Sequence, residues 1–202
     1  MHRTTVIAAA SDDSSVDRHQ PSGGFAGEMN RWDLTNVLVA VVDDAVRYRA
    51  SCGFLLVAVD NLVEVRAAHG VEVAAELIAA TIARLEAKLR GGDALGRFAD
   101  GQVGVILKNC TPDDITAAAE RLLCGVHDDV APRAAGPVTA NITIGGVNAP
   151  RHGRTVGEIV ARAHEALEIA KSTRPGSFHA YHPTTGAQRR AGRRAIRSFQ
   201  YR

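Results

Sequence analysis

Phe54-Leu55-Leu56-Val57-Ala58-Val59-Asp60-Asn61 is the stretch on which the fold turns. A short, continuous apolar run that stops at Asp60-Asn61 has the character of a strand filling the buried centre of a sheet. The flanking sequence supplies the cover such a strand needs. Before it, over 33–49, Leu34, Val37, Leu38, Val41, Val42 and Ala45 recur at three- and four-residue steps. This spacing predicts an amphipathic helix, with Asp33 as its N-cap. After it comes a short helix over 61–68, then Gly70. A longer helix follows over 71–90, striped by Ala74, Leu77, Ile78, Thr81, Ile82, Leu85 and Leu89 and ended by Gly91-Gly92.

Further out, two short apolar segments, 94–98 and 103–107, flank Asp100-Gly101, a dipeptide of hairpin-turn character. Thr111 is placed to cap a helix whose first residue is Pro112 and whose inner face carries Ile115, Ala118, Ala119, Leu122, Leu123 and Val126. Gly136-Pro137 punctuates a loop, 138–147 reads as a strand, 155–171 as a helix and 177–181 as a last strand. The predicted order is helix, then β-α-α-β-β-α-β-α-β. It implies an α+β fold, an α/β sandwich in which helices flank a central mixed sheet that carries a β-hairpin.

The 202 residues, 46% of them apolar, suit one packed domain with tails. Residues 1–24 lack apolar periodicity and read as a disordered leader, 25–183 as the domain, and 184–202 as an arginine-rich tail or linker. Six of the 24 basic residues and none of the 22 acidic ones fall in that tail, so the rest of the chain is net acidic. An acidic body argues against a nucleic-acid-binding face. No run approaches the roughly 20 apolar residues of a membrane helix, which implies a cytoplasmic protein without a membrane partner. Cys52, Cys110 and Cys124 are odd in number and widely spaced, so they are expected to be reduced and partly buried, with no metal among them.

At the joints between these elements the chain resembles the GGDEF domain of diguanylate cyclases, from Gly27 to Tyr181. Gly27-Glu28-Met29-Asn30-Arg31 with Leu34 is similar to the family's Gly-x-x-Asn-Arg-x-x-Leu opening. Ile144-Gly145 resembles its Ser-Ile-Gly strand. Ala163, Ala166-Leu167 and Ala170-Lys171 resemble its Ala-Asp-x-Ala-Leu-Tyr-x-Ala-Lys helix. The resemblance implies the family's reaction, in which two domains meet face to face and join two GTP molecules into cyclic-di-GMP, with Mg²⁺ held by carboxylates.

The same register places substitutions where that chemistry would occur. The family's first metal-holding Asp falls on Ala58, its guanine-reading Asn on Arg66, and its guanine-reading Asp on Ala75. Its Gly-Gly-Asp/Glu-Glu-Phe signature falls on Ala99, Asp100, Gly101, Gln102 and Val103, where Gly101 replaces the metal acid. Asp60 occupies a position at which the family already has a second Asp, and Asp100 sits one residue early. The resemblance therefore implies a degenerate domain with no catalytic residues, no cofactor, no Mg²⁺ and no GTP binding.

Two features survive. Arg90-Gly91-Gly92-Asp93 matches the family's inhibitory Arg-x-x-Asp pattern at its usual distance before the signature, which implies a cyclic-di-GMP site at Arg90 and Asp93. Lys171 matches a lysine that contacts phosphates. Both have plain structural readings too, Arg90 and Lys171 as cations at helix C-termini and Asp93 as a turn residue. His164 stands where the family has Asp and reads as a surface histidine. The leading expectation is a catalytically inactive regulatory domain in cyclic-di-GMP signalling that controls an EAL phosphodiesterase domain in cis, the arginine-rich tail being the connection. A dimerisation or interaction module that binds no nucleotide, for instance a homodimer, is the alternative, and an active cyclase is the third.

Overall fold

The structure is a computed structural model, and it describes residues 29–126 and 138–183. The expected leader, the first two residues of the opening motif, Gly136-Pro137 and the arginine-rich tail lie outside the described residues.

Nine elements follow in the expected order: α1 (Arg31–Arg47), β1 (Cys52–Val59), α2 (Leu62–Glu86), β2 (Ala94–Ala99), β3 (Gln102–Leu107), α3 (Pro112–Val126), β4 (Ile142–Ala149), α4 (Val156–Thr173) and β5 (Phe178–Ala180). They build one mixed sheet of order β2-β3-β1-β4-β5. β1 lies at its centre, antiparallel to both β3 and β4, and β5 joins β4 in parallel. The hairpin is thus part of the sheet, since β3 pairs along β1 from Gly53↔Leu107 to Ala58↔Gln102.

The continuous apolar run of β1 is explained by burial on both faces, every residue from Cys52 to Val59 being buried. Successive side chains alternate across a strand. Leu55, Val57 and Val59 accordingly join a core with Leu77, Leu85, Ile115 and Leu122 under α2 and α3. Phe54, Leu56 and Ala58 join a second core with Leu34, Leu38, Ala163 and Leu167 under α1 and α4. Each fully buried Leu or Ile contributes about 1.5–3 kcal/mol, so these two apolar layers, rather than exposed ion pairs, hold the sandwich together.

Several boundaries depart from the sequence reading for identifiable reasons. α1 begins two residues early because Asn30, not Asp33, caps it: the Asn30 Oδ1 accepts from Trp32 N at 2.9 Å and Asp33 N at 3.0 Å. The helix expected over 71–90 ends at Glu86, four residues before Arg90 and well ahead of Gly91-Gly92. The two helices expected either side of Gly70 do exist as segments, but they run together as α2 across a kink at Gly70, φ +90°. β4 starts at Ile142, not at 138. Thr111 does cap α3, with its Oγ1 accepting from Asp114 N while the Asp114 carboxylate accepts from Thr111 N at 2.8 Å, a reciprocal capping box. Among the cysteines, Cys52 and Cys110 are buried and Cys124 is exposed. Burial pushes the first two thiols up, to about 11 and about 12.

No helix among the described residues is long and apolar enough to cross a membrane.

Candidate functional site

The C-terminal end of β1, the β2–β3 turn, the start of β4 and the end of α4 meet at one end of the sheet. They meet there because β1 and β4 are antiparallel neighbours and β3 pairs with β1 on its other side. Val59 N donates to Gly101 O at 2.8 Å, which ties the turn to the strand end, and Asp60 N donates to Asn141 O at 2.7 Å. Asn61 clasps the same segment twice, donating from Nδ2 to Thr139 O at 2.8 Å and accepting at Oδ1 from Asn141 N at 3.0 Å.

One carboxylate at this end, Asp60, is engaged. Thr143 donates its hydroxyl to Asp60 Oδ2 at 2.5 Å and accepts from Gly176 N at 2.9 Å, while Lys171 Nζ lies 3.9 Å from Asp60 Oδ1. Lys171, the expected phosphate contact, is therefore brought to the site and faces a carboxylate. Thr143 escaped the sequence reading because a β-branched residue inside a predicted strand carries no signal beyond strand propensity.

Two of the substituted positions are brought into direct contact. Arg66 Nη2 donates to both carboxylate oxygens of Asp100, at 2.9 and 3.0 Å, joining α2 to the hairpin turn. The hydrogen bond from Arg66, with its charge, holds the Asp100 carboxyl below the usual carboxylate range, and Asp100 in turn raises Arg66. The Arg66 Nε and the Gln102 Oε1 are buried with no hydrogen-bond partner among the described residues.

The remaining substituted positions carry no ligating side chain. Ala58 is 2% exposed and belongs to the core beneath α1 and α4, paired across the strand with Gln102. Gly101 holds φ +64° in the turn, and a Cβ built there would lie 2.8 Å from Leu62 Cδ2. Ala99 is exposed at the end of β2, Val103 is buried in the core, and Ala75 lies exposed on α2 beyond the kink. His164 is not a plain surface residue. Its ring packs 5.8 Å from that of Phe98, over which the Arg31 guanidinium also sits at 5.0 Å.

Arg90 and Asp93 stand apart from this cluster. They precede β2, so the length of a six-residue strand, roughly 20 Å, separates them from the turn. Asp93 accepts from Arg90 N at 3.1 Å and from Lys108 N at 3.3 Å, and Asp93 N donates back to Arg90 O at 2.9 Å. The carboxylate is fixed by backbone donors, and the Arg90 side chain is exposed.

A sheet of this order, with its hairpin turn set against the end of the central strand, has solved counterparts, and the family described as "Diguanylate cyclase, GGDEF domain" matches residues 27–176. The chain belongs to the GGDEF family. Membership places it in cyclic-di-GMP signalling. No curated protein matches the sequence significantly.

Among solved structures, the GGDEF domain of YfiN (TpbB) from Pseudomonas aeruginosa is similar at TM-score 0.75 and 21% identity, covering 78% of this chain and 99% of that one. The active GGEEF domain of a diguanylate cyclase from Vibrio cholerae gives 0.70 at 17% identity, covering 77% and 98%. The GGDEF domain of DgcB from Caulobacter crescentus, solved in complex with cyclic-di-GMP, gives 0.73 at 14% identity, covering 82% and 98%. At these identities the likeness concerns the fold of this GGDEF domain.

Proposed function

We propose that this GGDEF domain is catalytically silent and serves as a regulatory module, binding cyclic-di-GMP at Arg90 and Asp93. The observation that carries the reading is the Arg66–Asp100 pair. A position aligned with the family's guanine reader and one aligned with its signature turn are spent on each other, which takes the guanidinium and the carboxylate out of use for an incoming nucleotide. Ala58 and Gly101 add no side-chain oxygen ligands, and Asp60 is already held by Thr143 and Lys171. The residues present do not fit Mg²⁺, a hard cation that is held at such sites by carboxylates and phosphates together.

The Arg-x-x-Asp pair suits recognition of a guanine dinucleotide. A guanidinium forks onto phosphate or onto guanine O6 and N7, and a carboxylate accepts from guanine N1 and N2. Each Asp93 oxygen uses one acceptor site on a backbone N–H, which leaves further acceptor capacity on a group already fixed in place. Titration calorimetry tests the reading. Cyclic-di-GMP is expected to bind and Arg90→Ala to abolish its binding, whereas GTP with Mg²⁺ yields no product. Absence of heat with cyclic-di-GMP refutes the sensor, and Mg²⁺-dependent turnover of GTP refutes the silence. Control of an EAL-type phosphodiesterase domain in cis belongs to the same proposal. It is read from the effect of Arg90→Ala on hydrolysis of cyclic-di-GMP by the full reading frame.

One observation favours a second reading, that of an interaction module. Trp32, Val39 and Val46 are 73%, 42% and 38% exposed and recur every seven residues, so they form one apolar stripe along α1. A second copy of the domain would cover it. Sedimentation of the wild type and of Val39→Lys distinguishes this reading, which requires a dimer that the substitution dissociates.

A further inference from the structure

At the end of the sheet opposite the Asp60 cluster, the C-terminus of α1 and the β4–α4 connection flank an open surface groove of about 640 Å³ lined by Val46, Arg49, Ala50, Pro150, Arg151 and Arg154. The three arginines come from two segments roughly a hundred residues apart in sequence, brought together because β1 and β4 pair with Cys52 opposite Ala149. None of the three makes an ion pair among the described residues. Glu158, the acidic residue of this segment, lies beside the pocket and offsets part of its charge: its carboxylate accepts from Arg154 N at 2.9 Å and lies 3.7 Å from the Arg162 guanidinium.

A second observation concerns the backbone. Arg49 holds φ +55°, the left-handed conformation at which chains leaving a helix ordinarily place glycine or asparagine. The other positive-φ residue that is not glycine among those described is Asn109, a type that tolerates it. At Arg49 an unfavourable backbone coincides with a cation on the pocket wall, the combination expected where a side chain is kept for its charge. Like charges facing one concavity repel, and the repulsion is relieved when an anion enters.

The geometry points to a second ligand site, distinct from the Arg-x-x-Asp pair, that takes a linear di- or triphosphate chain, a group that cyclic-di-GMP lacks. Guanidinium groups fork onto phosphate oxygens, and Val46, Ala50 and Pro150 give the pocket an apolar wall on which an organic moiety packs.

The test uses the full chain with inorganic pyrophosphate and GTP as probes in calorimetry at about 0.15 M salt. Both probes are expected to bind and to weaken as salt is raised. Arg151→Glu/Arg154→Glu is expected to lower affinity by at least about tenfold, and Arg90→Ala to leave it unchanged. Arg49→Gly supplies the folding control, because glycine suits the left-handed backbone. This variant is expected to keep or raise the wild-type melting temperature while losing affinity. Failure of both probes to bind overturns the proposal. So does binding that survives the double charge reversal or Arg49→Gly, and so does binding that Arg90→Ala abolishes.

Discussion

Arg66 and Asp100, 34 residues apart in sequence, are joined by one guanidinium nitrogen that donates to both carboxylate oxygens at 2.9 and 3.0 Å. The pair fastens α2 to the hairpin turn that lies against the C-terminal end of β1. Both side chains are partly exposed, so its main effect is on charge and access rather than on stability.

Removing the arginine is expected to free the carboxylate. In the wild type, the carboxyl carbon of Asp100 followed by NMR titrates below the ordinary value of 3.8, and in Arg66→Ala it moves back toward that value. The contribution of the pair to stability is complete above the ordinary carboxylate value and disappears as pH falls through the lowered one. An Asp100 titration identical in both proteins would show that the pair does not persist in solution.

Gly101 marks a backbone constraint in the hairpin turn. Because φ is +64°, Gly101→Ala is expected to destabilise by about 1–2 kcal/mol in chemical denaturation. Gly101→Asn should cost less, since asparagine tolerates that conformation. Ala58→Asp combined with Gly101→Asp places acids at the two positions that the proposed reading assigns to the metal. It is expected to lower the melting temperature without giving turnover of GTP, because the new carboxylate at 58 would enter the core beneath α1 and α4.

Stability is expected to fall as pH drops below about 6.5. Burial, followed by the charges of Arg151, His182 and Arg162, lowers His152 below its ordinary 6.5, and Asn148 N donates to its Nδ1 at 3.2 Å, which requires that nitrogen to be unprotonated. His179 is lowered in the same sense by burial and His182. A lowered folded value means that the unfolded chain takes up the proton first. The stabilisation is therefore full above about 6.5 and is lost as pH falls through the folded value. Melting temperatures measured across this range should decline less steeply for His152→Gln.

Close approach of α4 to β4 predicts the most damaging small substitution. A Cβ added at Gly145 would stand 2.4 Å from Leu167 N and 2.5 Å from Ala163 O, both backbone atoms that cannot turn aside. Gly145→Ala is expected to cost more than about 2 kcal/mol, since the helix must lift off the sheet. Denaturant titration showing wild-type stability would refute that contact.

The division between what was legible and what was not follows the range of each interaction. The buried run of β1, the spacing of apolar residues on α1, α2, α3 and α4, the Asp100-Gly101 turn and the Thr111 cap are local patterns, and they determined the element order and the fold class. The residue types at 58 and 101, alanine and glycine, are themselves enough to exclude a carboxylate at either position. A local choice can also mislead. Asp33 reads as the cap of α1 because its residue type suits one, and the turn geometry gives that place to Asn30. The pairing of Arg66 with Asp100, the hold of Thr143 on Asp60 across 83 residues, and the meeting of Arg49 with Arg151 and Arg154 have no local signature. They were decided by the sheet order β2-β3-β1-β4-β5, which sets β1 between the hairpin and β4 and so brings together side chains distant in sequence.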